Sequence, residues 1–128
     1  WFDNSSSLNG YFTNLLRAQT EYTYDKTQNN PKVKNTTYGY DNFGNIVIVH
    51  YQGDINVNGD ERFENYEYLY NTNLWIVDKP KRYRLLASDN STIARQNWFI
   101  YDNLAYNQNA TKGDITRKEE FLNLTNKQ

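Results

Sequence analysis

The stretch Tyr38-Gly39-Tyr40-Asp41-Asn42-Phe43-Gly44-Asn45-Ile46-Val47-Ile48-Val49 decides how the rest of the chain is read. Tyr38 and Tyr40 stand two apart, so on a strand their rings share one face. Residues 41–45 carry turn chemistry: Asp and Asn side chains bond to nearby backbone, and Gly44 reaches positive φ with no Cβ to clash. Ile46-Val47-Ile48-Val49 is a β-branched run of strand type. Strand, tight turn, strand is a β-hairpin.

Moving toward the C-terminus, residues 44–52 alternate with Ile46, Ile48 and His50 on one face and Val47, Val49 and Tyr51 on the other. Residues 53–60 read as a loop. Residues 61–70 answer as a strand, with Tyr66, Tyr68 and Tyr70 on one face and Asn65, Glu67 and Leu69 on the other. Residues 71–80 break the period. Leu74-Trp75-Ile76-Val77, closed by Asp78-Lys79-Pro80, predicts a compact turn whose Trp75 plugs the core. Residues 81–87 and 92–101 read as strands about an Asp89-Asn90-Ser91 turn. The second of them ends in Tyr101-Asp102-Asn103, a further Tyr-Asp strand end. A polar loop at 107–113 leads to a last strand at 114–122, and residues 123–128 read as a tail that can fray.

Toward the N-terminus, residues 32–40 form the strand that returns from a Gln28-Asn29-Asn30-Pro31 turn. Residues 11–25 read as one long strand ending in Tyr22-Thr23-Tyr24-Asp25, which repeats the Tyr-x-Tyr-Asp spacing. Asn4-Ser5-Ser6-Ser7 reads as a loop and Asn9-Gly10 as a turn pair. Hairpins that cannot each bury a face must stack to form a core. Both terminal strands would then be open edges. The opening Trp1-Phe2-Asp3, with no initiator Met, agrees with an excerpt of a larger chain.

Composition supports the same class. In 128 residues, 16% are aromatic and Tyr alone contributes 12, while only 38% are hydrophobic. A core must then be built from rings with polar tips, each needing a hydrogen-bond partner when buried. Tyr, Thr and Val favour strands and the abundant Asn favours turns, so the expectation is all-β. A net charge of −1 with dispersed Lys and Arg gives no electrostatic case for nucleic acid. No apolar run approaches the roughly 20 residues of a membrane span. The absence of Cys excludes disulfides and thiolate chemistry.

Residues 38–45 resemble the YD (RHS) repeat, whose form is Tyr-x-Tyr-Asp-x-x-Gly-Asn followed by a β-branched strand. Tyr38, Tyr40, Asp41, Gly44 and Asn45 fill its marker positions. Tyr22, Tyr24 and Asp25, and again Tyr101 and Asp102, are similar to degenerate copies that lack the Gly-Asn half. Residues 74–82 resemble the Trp-Leu-x-Gly-x-Pro-x-Arg segment that follows such hairpins, with Asp78 in place of Gly. Gly113-Asp114-Ile115-Thr116 resembles another strand opening. The likeness covers residues 11–121. It implies stacked antiparallel hairpins forming part of a spiralling sheet, open if isolated. It also implies a non-catalytic wall segment of a hollow shell around a toxin or C-terminal cargo segment, as in the B components of bacterial toxin complexes. The partners implied are neighbouring repeats of the same polypeptide and the enclosed cargo, and the setting is secreted or on the bacterial surface.

Other sites are weighed against plainer readings. Asp54, Asn56, Asn58 and Asp60 place oxygen ligands at alternate positions around Gly59, which suits a Ca2+ loop. The match fails further on, because Asn65 stands where a bidentate Glu belongs. The simpler reading is a polar hairpin loop turning on Asn58-Gly59. His50, the single His, reads as packed or surface, with no nucleophile elbow to serve. Asp60, Glu61, Glu64, Glu67, Glu119 and Glu120 could supply a glycosidase pair, but solvated strand faces commonly carry Glu. Tyr66, Tyr68, Tyr70, Trp75 and Trp98 read as the core of a Leu-poor sheet; exposed instead, they would make a glycan-binding module, the alternative function. Triplets such as Asn35-Thr36-Thr37 are expected by chance and are not read as glycosylation sites.

Overall fold

The computed structural model describes residues 2–3, 7–8, 11–12, 14–26 and 30–122. The expected Asn9-Gly10 turn, the 123–128 tail, most of the 4–7 loop and the start of the 28–31 turn fall outside these residues. The described chain is all-β. Four short strands come first: β1 (Phe2–Asp3), β2 (Ser7–Leu8), β3 (Tyr11–Phe12) and β4 (Leu15–Leu16). β1 pairs with β4, and β2 with β3.

The remaining strands form one open antiparallel sheet. They are β5 (Ala18–Thr23), β6 (Lys32–Tyr40), β7 (Ile46–Asp54), β8 (Arg62–Asn71), β9 (Ile76–Leu86), β10 (Ile93–Tyr101) and β11 (Ile115–Leu122). The order across the seven-stranded sheet is β11-β10-β9-β8-β7-β6-β5, so every strand pairs only with its neighbours in sequence. β5 and β11 are its edges. Among the described residues no helix is long and apolar enough to cross a membrane.

Register follows the period-two pattern. Tyr38 faces Val49, Val49 faces Glu64, Glu64 faces Leu85 and Leu85 faces Arg95, which puts this row on one face. His50, Phe63, Leu86 and Ile93 make a row on the other. Gly39 lies opposite Ile48 because the β-branched side chain needs the space: a Cβ on Gly39 would lie 2.5 Å from Ile48 Cγ2. The sheet is a single layer, and among the described residues the buried apolar side chains are Val49, Leu69, Leu86, Ile100 and Tyr101 in the strands and Ala110 in the β10–β11 connection. Leu69, Tyr101 and Ala110 form one cluster, with Ile76 and Phe99 packed against it.

Three expectations need correction. The strand expected over 11–25 is interrupted at Arg17, whose carbonyl accepts the Tyr38 N–H at 3.0 Å and whose guanidinium lies 5.8 Å from the Tyr40 ring centre. The 71–80 segment is a short turn followed by β9, which runs through Pro80. Proline lacks an N–H to donate, and the pairing with β8 shifts beside it, between Glu67 and Tyr68. Trp75 does not plug the core. It is 72% exposed at φ 54 on the tip of that turn, and a single-layer sheet offers no second layer for its ring to enter.

Candidate functional site

In a meander the turns alternate between the two ends of the sheet. The β6–β7, β8–β9 and β10–β11 connections share one end, so Tyr40-Asp41 and Tyr101-Asp102 lie at the same end. Tyr24-Asp25 follows β5 and lies at the opposite end, with Tyr22 and Tyr24 more than half exposed.

Asp41 organises the short turn. Its backbone N–H donates to the Asn45 carbonyl at 3.0 Å. Its carboxylate accepts from the N–H of Phe43 and Asn45, each at 2.9 Å, from Asn45 Nδ2 at 2.8 Å, and from the Tyr70 hydroxyl at 2.7 Å. Gly44 takes φ 84, and β7 begins at Ile46. Burial alone would raise the Asp41 pKa, but the bonds from Asn45, Tyr70 and Phe43 outweigh it and hold the carboxyl below its ordinary range. The partner effect appears on Tyr70, whose hydroxyl is pushed up to about 12 by burial and by its bond to Asp41.

Asp102 builds the same frame around a much longer connection. Its N–H donates to the Asp114 carbonyl at 2.8 Å. Its Oδ1 accepts from the Asp114 N–H at 2.9 Å. Its Oδ2 accepts from the N–H groups of Thr111, Lys112 and Gly113 at 2.6, 2.9 and 3.2 Å. Gly113 takes φ 90, and β11 begins at Ile115. Gly113-Asp114-Ile115 therefore stands where Gly44-Asn45-Ile46 stands in the short turn. Tyr101-Asp102 has its Gly-Asn half after all, as Gly-Asp, displaced by residues 103–112. A contiguous search misses it; comparing the two triplets before Ile46 and Ile115 finds it. The Asp102 carboxyl is also held well below its ordinary range, first by the Lys112 N–H and then, against some burial, by those of Thr111, Asp114 and Gly113.

The tyrosine halves match as well. The Tyr40 hydroxyl donates to the Leu16 carbonyl at 2.8 Å and that of Tyr101 to the Pro80 carbonyl at 2.9 Å, reaching back 24 and 21 residues. Tyr68 does the same to Ile46 at 2.9 Å, over 22 residues. Each ring thus buries its body and satisfies its polar tip on backbone of an earlier strand or its flank. Burial, aided by the Asp78 charge, pushes the Tyr101 hydroxyl up to about 12.

The middle turn ties these two together. Tyr70 reaches Asp41 on one side, and Asn71 Nδ2 donates to the Ala110 carbonyl at 2.9 Å on the other. Asn45 Nδ2 crosses to the Val77 carbonyl at 2.7 Å. Phe43 lies 5.1 Å from Tyr70 and edge-on to Trp75 at 6.1 Å. Sequence reasoning missed Asn45, Asn71 and Ala110 as cross-turn links, because nothing local signals a bond to a turn one hairpin away.

The remaining candidates are spread out. In the 54–60 loop, Asp54 Oδ1 accepts from the Asn56 N–H at 3.1 Å, Asp60 Oδ2 from the Asp54 N–H at 2.9 Å, and Glu61 from the Gly59 N–H at 2.7 Å. These carboxylates serve the loop's own backbone; Asn58 is exposed. Among the described residues no group of three or more His, Cys, Asp or Glu side chains gathers as a metal site would. His50 stacks on Phe63 with ring centres 4.1 Å apart. Glu64 accepts from the Tyr66 hydroxyl at 2.9 Å. Glu67 is held by Arg82 and Arg84, with Lys81 at 3.8 Å. Glu119 and Glu120 pair with Arg117 and Arg95. At the Asp41 and Asp102 turns the carboxylates and the Tyr40, Tyr70 and Tyr101 hydroxyls are thus hydrogen-bonded within the protein. No known protein family, curated protein or solved structure matches the chain.

Proposed function

We propose that the chain is a non-catalytic wall segment of a YD-repeat (RHS-repeat) shell, secreted or displayed on a bacterial surface. In this reading it pairs with neighbouring repeats along both sheet edges and encloses a toxin or C-terminal cargo segment. The observation that carries it is the repeated frame: Tyr-Asp, then Gly-Asn or Gly-Asp, with the same backbone bond at 3.0 and 2.8 Å and the same glycine conformation, at one end of one sheet. A motif whose carboxylates are spent on turn backbone, and whose Tyr40 and Tyr101 hydroxyls are spent on neighbouring backbone, sets strand spacing.

The edges support the same reading. β5 and β11 have one unpaired side each in the seven-stranded sheet. They carry exposed Tyr22, Ile115 and Phe121, with Tyr24 just beyond β5. Solitary sheets blunt such edges with short strands, bulges, proline or charged side chains; β11 is eight residues long without proline, and although Arg117 to Glu120 charge its middle, Ile115 and Phe121 near its two ends are exposed and apolar. The test is hydrogen–deuterium exchange on the polypeptide as cells make it. Amides of β5 and β11 protected as strongly as those of β8 are the expected result. Fast exchange along both edges would mean that the sheet ends there, and would overturn the proposal.

A further inference from the structure

A groove of about 520 Å3 crosses β5 to β8 at the end away from the Asp41 and Asp102 turns. Its lining includes Tyr38 and Tyr51, with Lys34, Arg62, Gln19 and Glu21 around them. Lys34 and Arg62 are exposed, and among the described residues neither makes an ion pair. The other cation at the rim, Lys32, is near Asp54 at 3.8 Å. Two carboxylates also line the groove, Glu21 directly across from Lys34 and Asp60, one of whose oxygens accepts the Asp54 N–H, so Arg62, which faces Tyr51, is a lining cation with no carboxylate across from it in register.

Arg62 is held rather than loose. Its guanidinium carbon lies 4.3 Å from the Tyr51 ring centre, a cation–π contact that fixes the fork before anything binds. A guanidinium fork recognises a carboxylate by two parallel hydrogen bonds. Tyrosine rings offer an apolar body to the C–H face of a sugar and a hydroxyl to its rim. The strands beneath the groove are already paired: β6 lies between β5 and β7, and β7 between β6 and β8. Over β6 and β7 a peptide therefore finds no free backbone ladder, which leaves only the outer side of β5 at the groove's margin, and side chains do the recognition in between.

We propose that this groove binds an acidic oligosaccharide, with Arg62 and Lys34 taking the uronate carboxylates and Tyr38 and Tyr51 taking the ring. The site lies within one face of the sheet and does not depend on the wall reading.

The experiment is calorimetric titration of the polypeptide, as cells make it, with tetragalacturonate, beside maltotetraose and hexaglutamate, at low and moderate salt. Saturable tetragalacturonate binding that weakens with salt is expected, with none to maltotetraose. Arg62→Gln should weaken it by about tenfold or more, as loss of a charge-assisted bidentate pair does. Arg62→Lys should restore part of the affinity, and Lys118→Gln on β11 should change nothing. Circular dichroism checks that each variant is folded; should Arg62→Gln unfold, Lys34→Gln at its exposed position carries the test. The proposal is overturned by no saturable binding, by equal binding of maltotetraose, by unchanged affinity in the folded variants, or by hexaglutamate binding as tightly, which would assign the groove to acidic peptide.

Discussion

The short turn at Asp41 and the long one at Asp102 close with two bonds in common, from the acid's N–H to the carbonyl of Asn45 or Asp114 and from that residue's N–H back to the acid's Oδ1, yet differ in everything between. The short turn holds only Asn42 and Phe43 before its glycine; the long one holds residues 103–112. In the long turn Asp102 and Asn103 both adopt left-handed φ, at 55 and 57, whereas in the short turn only Gly44 does. Asp and Asn tolerate that region better than other residues with a Cβ. The extra residues are put to use: Ala110 is fully buried against Leu69 and Tyr101, and Asn107 accepts from Lys81 Nζ at 2.8 Å. The frame is thus set by its two ends, and its interior is free to become a lid over the sheet end.

Removing the acid should have the largest effect in either turn. Asp41→Ala strands the N–H groups of Phe43 and Asn45 and the Tyr70 hydroxyl. It should cost about 3 kcal/mol, at roughly 1 kcal/mol per bond, read by denaturant unfolding. Asp102→Ala should release the amides of residues 111–114 to rapid exchange while leaving residues 43–45 protected. If those amides stay protected, the two frames are not equivalent.

Next in size is a transplant. Replacing residues 103–112 by Asn-Phe should keep β10 and β11 paired, because the frame needs only its ends. Losing the buried Ala110 contact should still lower stability by about 1–2 kcal/mol. A chain that no longer pairs β10 with β11 by exchange or NMR would show that the long loop is required for the turn itself.

Gly44→Ala should cost about 1 kcal/mol, from positive φ alone, since nothing lies within 4 Å of its Cβ position. Gly113→Ala should cost at least as much, because the added Cβ would meet Lys79 Cε at 2.6 Å, although that flexible chain can move aside. A melting-temperature loss for Gly44→Ala well above that for Gly113→Ala would break the equivalence.

The smallest test is pH. Both acids have depressed folded-state values, so the stability they supply is present above the unfolded carboxyl range and falls as pH drops through the folded values. Tyr70 and Tyr101 are raised to about 12, so their contribution is complete below pH ~10 and lost as pH climbs toward 12. Unfolding midpoints should therefore fall at both extremes. Tyr70→Phe should remove part of the alkaline fall and raise the folded-state pKa of Asp41, a shift that NMR titration can follow.

Much of this architecture was legible in the residues. The strand expected at 32–40 is β6, and the hairpin expected from 44–52 with 61–70 is β7 with β8, because alternation of Ile, Val and Tyr with polar residues survives unchanged in a half-buried sheet. Asp41 as the cap of its turn was equally readable. The differences arise where a local signal is overruled by the sheet. Pro80 signals the end of an element, but a sheet accommodates proline where the pairing shifts. The apolar run of Leu74 to Val77 points Trp75 at a core, but at the tip of its turn the ring stays exposed. The Gly-Asp of the long frame was separated from its Tyr-Asp by a loop that hydropathy marks only as polar.

The tyrosine bonds also bear on how the chain is made. Each hydroxyl reaches back 21 to 24 residues, about one hairpin, and each strand of the large sheet lies beside the one made just before it. A chain emerging N-terminus first meets its partner already laid down, so pairing can keep pace with synthesis. Tyr40, Tyr68 and Tyr101, at or near the ends of β6, β8 and β10, then latch onto backbone that is already in place. Growth by such latching has no preferred stopping point, and the same few residues could register a sheet of any width.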